Sequence, residues 1–84
     1  MTYQIAAFYK FFAFPDFEAR RADLAQTLCG AGVKGTVLLA AEGVNGTIAG
    51  TPDGIATALA ALRALPGAAD LEAKFSEAGE MPFL

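Results

Sequence analysis

The run from Lys34 to Gly50, Lys-Gly-Thr-Val-Leu-Leu-Ala-Ala-Glu-Gly-Val-Asn-Gly-Thr-Ile-Ala-Gly, leaves few options for the chain that contains it. It reads as two short apolar strands folded about a tight turn at Glu42-Gly43. Glycine at Gly43 permits the positive φ that a tight hairpin requires. Gly46, in mid-strand, lowers stability unless another segment of the chain passes close by. A sequence that accepts such a loss is meeting a packing or binding demand.

The flanking segments supply the rest of the architecture. From Tyr3 to Phe12 an apolar, aromatic run alternates with a partial period of two. Ile5, Ala7, Tyr9 and Phe11 share one face; Gln4, Ala6, Phe8 and Lys10 share the other. Both faces are largely apolar, which predicts a central strand. Pro15 stops it, Asp16 is a suitable N-cap, and Glu18 follows in the first turn of a helix. Phe17, Leu24 and Leu28, with Arg20 and Arg21 as a solvated face, predict one buried stripe ending at Gly30, with Gly32 finishing the turn. Strands are predicted over 34–41 and 44–50. Thr51 caps the next helix with Pro52 at its first position. Ile55, Leu59 and Leu62, reinforced by Ala58 and Leu65, form the apolar stripe of that helix, and Pro66-Gly67 ends it. Leu71, Ala73 and Phe75, alternating with Glu72, Lys74 and Ser76, predict a half-buried final strand.

The order is β-α-β-β-α-β. This is an α+β, ferredoxin-like sandwich: a four-stranded antiparallel sheet with two helices on one face. The helices are expected to cover the face lined by Ile5, Ala7, Ile48, Leu71 and Phe75. Phe8, Lys10, Asn45, Thr47 and Lys74 are then a mixed patch on the open face. Residues 1–76 form the domain. Met81-Pro82-Phe83-Leu84 ends on apolar side chains, so 77–84 reads as the start of a linker and the chain as the N-terminal piece of a longer protein.

Composition removes several classes of chemistry. The chain has no histidine, so His-ligated zinc and any Ser-His-Asp or Cys-His pair are out of reach. Cys29 is the only cysteine, which excludes an internal disulfide and a paired-cysteine metal site; no metal site is expected. Lying next to Leu28 without a basic neighbour, Cys29 reads as a core thiol and not a nucleophile. Six Lys and Arg against nine Asp and Glu, a net charge of −3, supply little phosphate affinity on their own. No apolar run approaches the ~20 residues of a membrane helix and no secretory leader is recognisable, so a cytoplasmic location is expected.

Fold alone assigns no activity. An acylphosphatase-like enzyme needs a phosphate-cradling loop with glycines and an arginine between the first strand and first helix. Here that connection is Phe12-Ala13-Phe14-Pro15-Asp16, with neither. An RNA-recognition domain of this topology stacks bases on aromatics of its first and third strands. Phe8 fits the first position, but Val44 to Gly50 contains no aromatic residue. The open face is therefore expected to pack against another domain, with RNA contact through Phe8, Lys10, Asn45 and Lys74 as the alternative. Glu42, at the hairpin tip, reads as a solvated turn charge. The Asn45 amide reads as a structural hydrogen-bonding group, with a ligand as the alternative.

Two strings, Gly35-Thr-Val-Leu-Leu-Ala40 and Glu42-Gly-Val-Asn-Gly-Thr-Ile-Ala-Gly50, resemble the N-terminal domain of the rhodanese-domain tRNA uridine hydroxylases. The aromatic opening Phe8-Tyr9-Lys10-Phe11, the Pro15-Asp16 helix start, and Phe75-Ser76 followed by Met81-Pro82-Phe83 fall where that family has similar elements. The resemblance spans essentially the whole chain. It implies a cytoplasmic enzyme that uses molecular oxygen to form 5-hydroxyuridine at the wobble position of certain tRNAs. It further implies that the catalytic cysteine lies in a rhodanese-like domain following in cis. Cys29 does not inherit that role, and no catalytic residue or cofactor is expected in this chain. Glu42, Gly43, Asn45 and Gly46 carry over only as the motif hairpin. The implied role is an accessory domain that positions the anticodon loop or braces the rhodanese domain. The alternative is a non-catalytic binding or dimerisation module.

Overall fold

The computed structural model describes residues 2–82. Its elements run β1 (Tyr3–Phe11), α1 (Phe17–Gly30), β2 (Lys34–Ala40), β3 (Gly43–Gly50), α2 (Pro52–Arg63) and β4 (Ala73–Ala78). The four strands form one sheet in the order β2-β3-β1-β4, each neighbouring pair antiparallel. This is the expected ferredoxin-like α+β arrangement, with β1 inside the sheet. The apolar end of the tail, Phe83 and Leu84, lies outside the described residues.

Helix α2 is the best-specified element. The Thr51 hydroxyl accepts a hydrogen bond from the Gly54 amide at 3.1 Å, and Pro52 occupies the first turn. Its apolar stripe buries Ile55, Ala58, Leu59 and Leu62. Burial of each large member is worth roughly 1.5–3 kcal/mol. The core continues beyond the helix through Leu65, Ala68 and Leu71, whose turns are closed by Ala68 N–H to Leu65 C=O and Leu71 N–H to Ala68 C=O, both 3.0 Å. Leu71 is thus a buried loop residue and not the first residue of the last strand, and β4 runs on to Ala78.

Helix α1 is less amphipathic. Leu24 is its one buried residue, with Phe17 and Leu28 packed partly against the core. Asp16 takes the N-cap position, but its carboxylate makes no capping bond. Gly30 ends the helix, and Gly32 turns the chain at φ 73°. The expected core position of Cys29 is corrected: its side chain is exposed. One residue on from Leu28 rotates a helical side chain by about 100°, enough to carry it off so narrow a stripe.

The hairpin differs from expectation by one position. Ala40 pairs with Gly43, so Ala41 and Glu42 form the turn and Gly43 begins β3. Gly43 has φ 142°, and a Cβ there would run into the Lys10 carbonyl of β1. The turn is also tied to the segment after β1. Phe12 N–H donates to Glu42 C=O at 3.0 Å, and Phe14 N–H to Ala41 C=O at 2.9 Å.

The parity of β1 is inverted relative to the sequence reading, whereas Ile48 and Leu71 are buried and Asn45, Thr47 and Lys74 lie on the open face as expected. Ala6, Phe8, Val44 and Ile48 are buried beneath the helices. Ile5 and Ala7 therefore belong to the open face, because successive strand residues point to opposite sides. Gly46 explains the choice. It pairs with Phe8, and a Cβ at Gly46 would run into the Thr36 carbonyl of β2 and lie 3.0 Å from both the Phe8 ring and the Val37 Cα. The missing side chain lets β2 approach closely and leaves room for the Phe8 ring beside it. Phe75 shares the Ala6–Ile48 row yet is 53% exposed, because edge strand β4 lies beyond the cover of the helices.

Candidate functional site

The open sheet face is a site built from cross-strand rows. Pairing registers place Leu38, Asn45 and Tyr9 in one row, and Thr36, Thr47, Ala7 and Lys74 in the next. Phe11 closes the end beside Tyr9, their rings 5.9 Å apart at 62°, an edge-to-face contact. Tyr9, Phe11 and Leu38 are 69%, 76% and 56% exposed. Tyr9, Asn45, Thr47 and Lys74 line a groove of about 660 Å³, with Lys10, Asp70 and Glu72 at its side.

Of the sequence-predicted residues, the structure brings Asn45 and Lys74 together on this face. It removes Phe8, which belongs to the core on the opposite side. Lys10 stands at the strand end, where its ammonium donates to Asp70 Oδ2 at 3.0 Å. That hydrogen bond, helped by a backbone hydrogen bond and the Lys10 charge, holds the Asp70 carboxyl below its ordinary value. The Lys10 charge is thereby committed to a neighbour, while Glu72 adds a negative group to the wall. The residues missed are Tyr9, Phe11 and Leu38. The glycine opposite Phe8 was the signal for them, since a strand glycine facing a large ring fixes which parity is buried.

In the motif hairpin Glu42, Gly43 and Gly46 have structural work. Gly43 and Gly46 permit close backbone approach, and Glu42 accepts the Phe12 amide through its carbonyl. The Asn45 amide, expected as a structural hydrogen-bonding group, makes no side-chain hydrogen bond among the described residues and is exposed beside Tyr9 and Leu38. The connection between β1 and α1 is unsuited to cradling an anion. Phe14 is buried, Phe12 packs against the core, and the Phe12 and Phe14 amides already have carbonyl partners. Among the described residues no cluster of three or more His, Cys, Asp or Glu side chains gathers in metal-binding geometry. No described helix is long and apolar enough to cross a membrane.

Fold and hairpin together define an acylphosphatase-like domain of the ferredoxin-like class. Residues 3–84 match the family described as the UPF0176 acylphosphatase like domain, and the chain belongs to that family. It is similar to the tRNA uridine(34) hydroxylase of Brucella anthropi, with 49% identity over 83 residues. The enzymes of the same name from Brucella ovis and Brucella canis are 47% identical to it over 83 residues. Each alignment covers 99% of this chain but 27% of the relative, so the chain spans about a quarter of the length of these curated relatives.

Proposed function

We propose that this chain is an accessory, non-catalytic domain of an oxygen-dependent tRNA uridine hydroxylase that forms 5-hydroxyuridine at the wobble position. The domain runs to the end of β4 at Ala78, two residues past the expected limit at 76, and the residues after it lead toward a rhodanese-like domain in cis, which holds the reactive cysteine. Molecular oxygen is a co-substrate of the whole enzyme, tRNA its macromolecular partner, and the cytoplasm its compartment. The similarity to enzymes of that printed name across 99% of the chain supports this reading.

The observation that carries the domain's own role is its uneven sheet, one face largely covered by helices and the other presenting Tyr9, Phe11 and Leu38 to solvent. Exposed aromatics gathered on one face mark a contact surface. In this reading the rest of the enzyme rests on that surface and is braced by it. A second reading, in which anticodon-loop bases stack on Tyr9 and Phe11, is favoured by their exposure on a sheet face. Against that, Lys10 is already paired with Asp70.

The test uses the full-length enzyme in cells lacking their own copy, with tRNA nucleosides read by mass spectrometry. Replacing both Tyr9 and Phe11 by alanine is expected to lower 5-hydroxyuridine severalfold while the protein remains folded. Loss of tRNA binding would select stacking, and unchanged binding with loosened domain contact would select bracing. Unchanged 5-hydroxyuridine would refute a working role for this face. Hydroxylation by the 84-residue chain alone would refute the accessory assignment.

A further inference from the structure

The two edges of the sheet are guarded unequally. Edge strand β4 carries Lys74 and Glu77, both exposed, and charges of this kind discourage further strands from adding. Edge strand β2 carries its one charge, Lys34, at its first position. From Thr36 through Ala41 there is neither a charged residue nor a proline. Among the described residues its only sheet partner is β3, so its outer row of N–H and C=O groups is open. Such an uncharged, apolar edge is a template for another strand. On the helix side a groove of about 380 Å³ runs beside it, lined by Leu24, Leu28, Val37 and Leu39.

We propose that β2 pairs antiparallel with β2 of a second copy about a two-fold axis at Leu38, joining the two sheets into one. This inference stands independently of the function proposed above. Charge complementarity chooses the occupant. Lys34 opens the strand and Glu42 sits just beyond its other end; both are exposed, and the ion pair found among the described residues involves neither. A register centred on Leu38 brings Lys34 of each copy up to the hairpin turn of the other, where Glu42 stands, a contact made twice by symmetry. The same register sets Leu38 against itself, Val37 against Leu39, and Thr36 against Ala40. Leu38, 56% exposed in the single chain, is covered by its counterpart. Val37 and Leu39 of the second copy extend the apolar wall of the groove. Ala25 and Cys29 line the α1 side of that groove, and such short side chains suit helices approaching to about 8–10 Å.

Within one copy Lys34 and Glu42 lie at opposite ends of an extended strand, roughly 20 Å or more apart, and cannot reach each other. Charge reversal therefore reports the contact between copies. The 84-residue chain is examined by sedimentation equilibrium at low salt from about 1 µM to about 1 mM, where a monomer–dimer equilibrium is expected. K34E and E42K are each expected to weaken the dimer roughly tenfold or more, by placing like charges across from one another. The double variant K34E/E42K restores the pairing with its signs exchanged and recovers the original affinity. L38K sets two cations on the axis and abolishes the dimer without altering the circular dichroism spectrum. A chain monomeric throughout the range overturns the proposal. So does a double reversal no tighter than the single ones, or an L38K dimer as tight as the original.

Discussion

Truncating two neighbouring aromatic residues tests the orientation of the whole sheet. Phe8 and Tyr9 adjoin in β1, yet Phe8 is 5% exposed and Tyr9 69%. Removing a buried phenylalanine ring typically costs about 3–5 kcal/mol, transfer and cavity effects combined. The gap left by Phe8 cannot be filled from Gly46, which has no side chain to move. Phe8→Ala therefore belongs toward the upper part of that range. Tyr9→Ala loses mainly an exposed edge-to-face contact with Phe11 and should cost about 1 kcal/mol or less. A domain of 84 residues has a total stability of about 4–13 kcal/mol. With a urea dependence near ~1 kcal/mol per molar, the Phe8→Ala midpoint should fall by about 3 M or more, or the chain should fail to fold. The Tyr9→Ala midpoint should move by no more than about 1 M. Equal shifts, or a larger loss at Tyr9, would refute the assignment of faces and with it the composition of the open surface.

Three further outcomes follow from single contacts. Gly43→Ala should destabilise the fold by about 1–3 kcal/mol in urea unfolding, because φ 142° and the Lys10 carbonyl both oppose a Cβ there. Cys29 should react fully with a thiol reagent in the native protein, since its side chain is exposed; reaction only after denaturation would return it to the core. Asp70 has its carboxyl held below the ordinary aspartate value in the folded chain, first by the Lys10 hydrogen bond. Its stabilising contribution is therefore complete above the unfolded-state value and is lost as pH falls through the lower folded value. Thermal melts should show Asp70→Asn less stable than the parent chain at neutral pH, with the gap closing under strong acid. A gap independent of pH would contradict the Lys10–Asp70 contact.

Element order was legible because its signals are local. Thr51-Pro52 and the three-and-four spacing of Ile55, Leu59 and Leu62 specify α2 without reference to anything distant. The parity of β1 was not legible in the same way, since both of its faces are apolar. Gln4 and Lys10 marked the wrong face as the wet one. Both stand toward the ends of the strand, and Lys10 reaches a partner 60 positions away in sequence, which no local pattern can report. Gly46 held the answer, but only once Phe8 was known to lie opposite it. Phe75 misled for a related reason: its row is correct for the core, but its strand is outermost. The open face could therefore be anticipated through Asn45 and Lys74, whereas Tyr9 and Phe11 needed the pairing register.

The bonds from Phe12 and Phe14 to the hairpin turn carry a mechanical consequence. Separating Ala41 and Glu42 from those amides would release the stretch leading into α1 at the same moment as the tip of β2 and β3. These parts should lose hydrogen-exchange protection together, as one cooperative block. A load applied to either would then be felt by the other, tying the β2–β3 hairpin to the first turn of α1 across two hydrogen bonds.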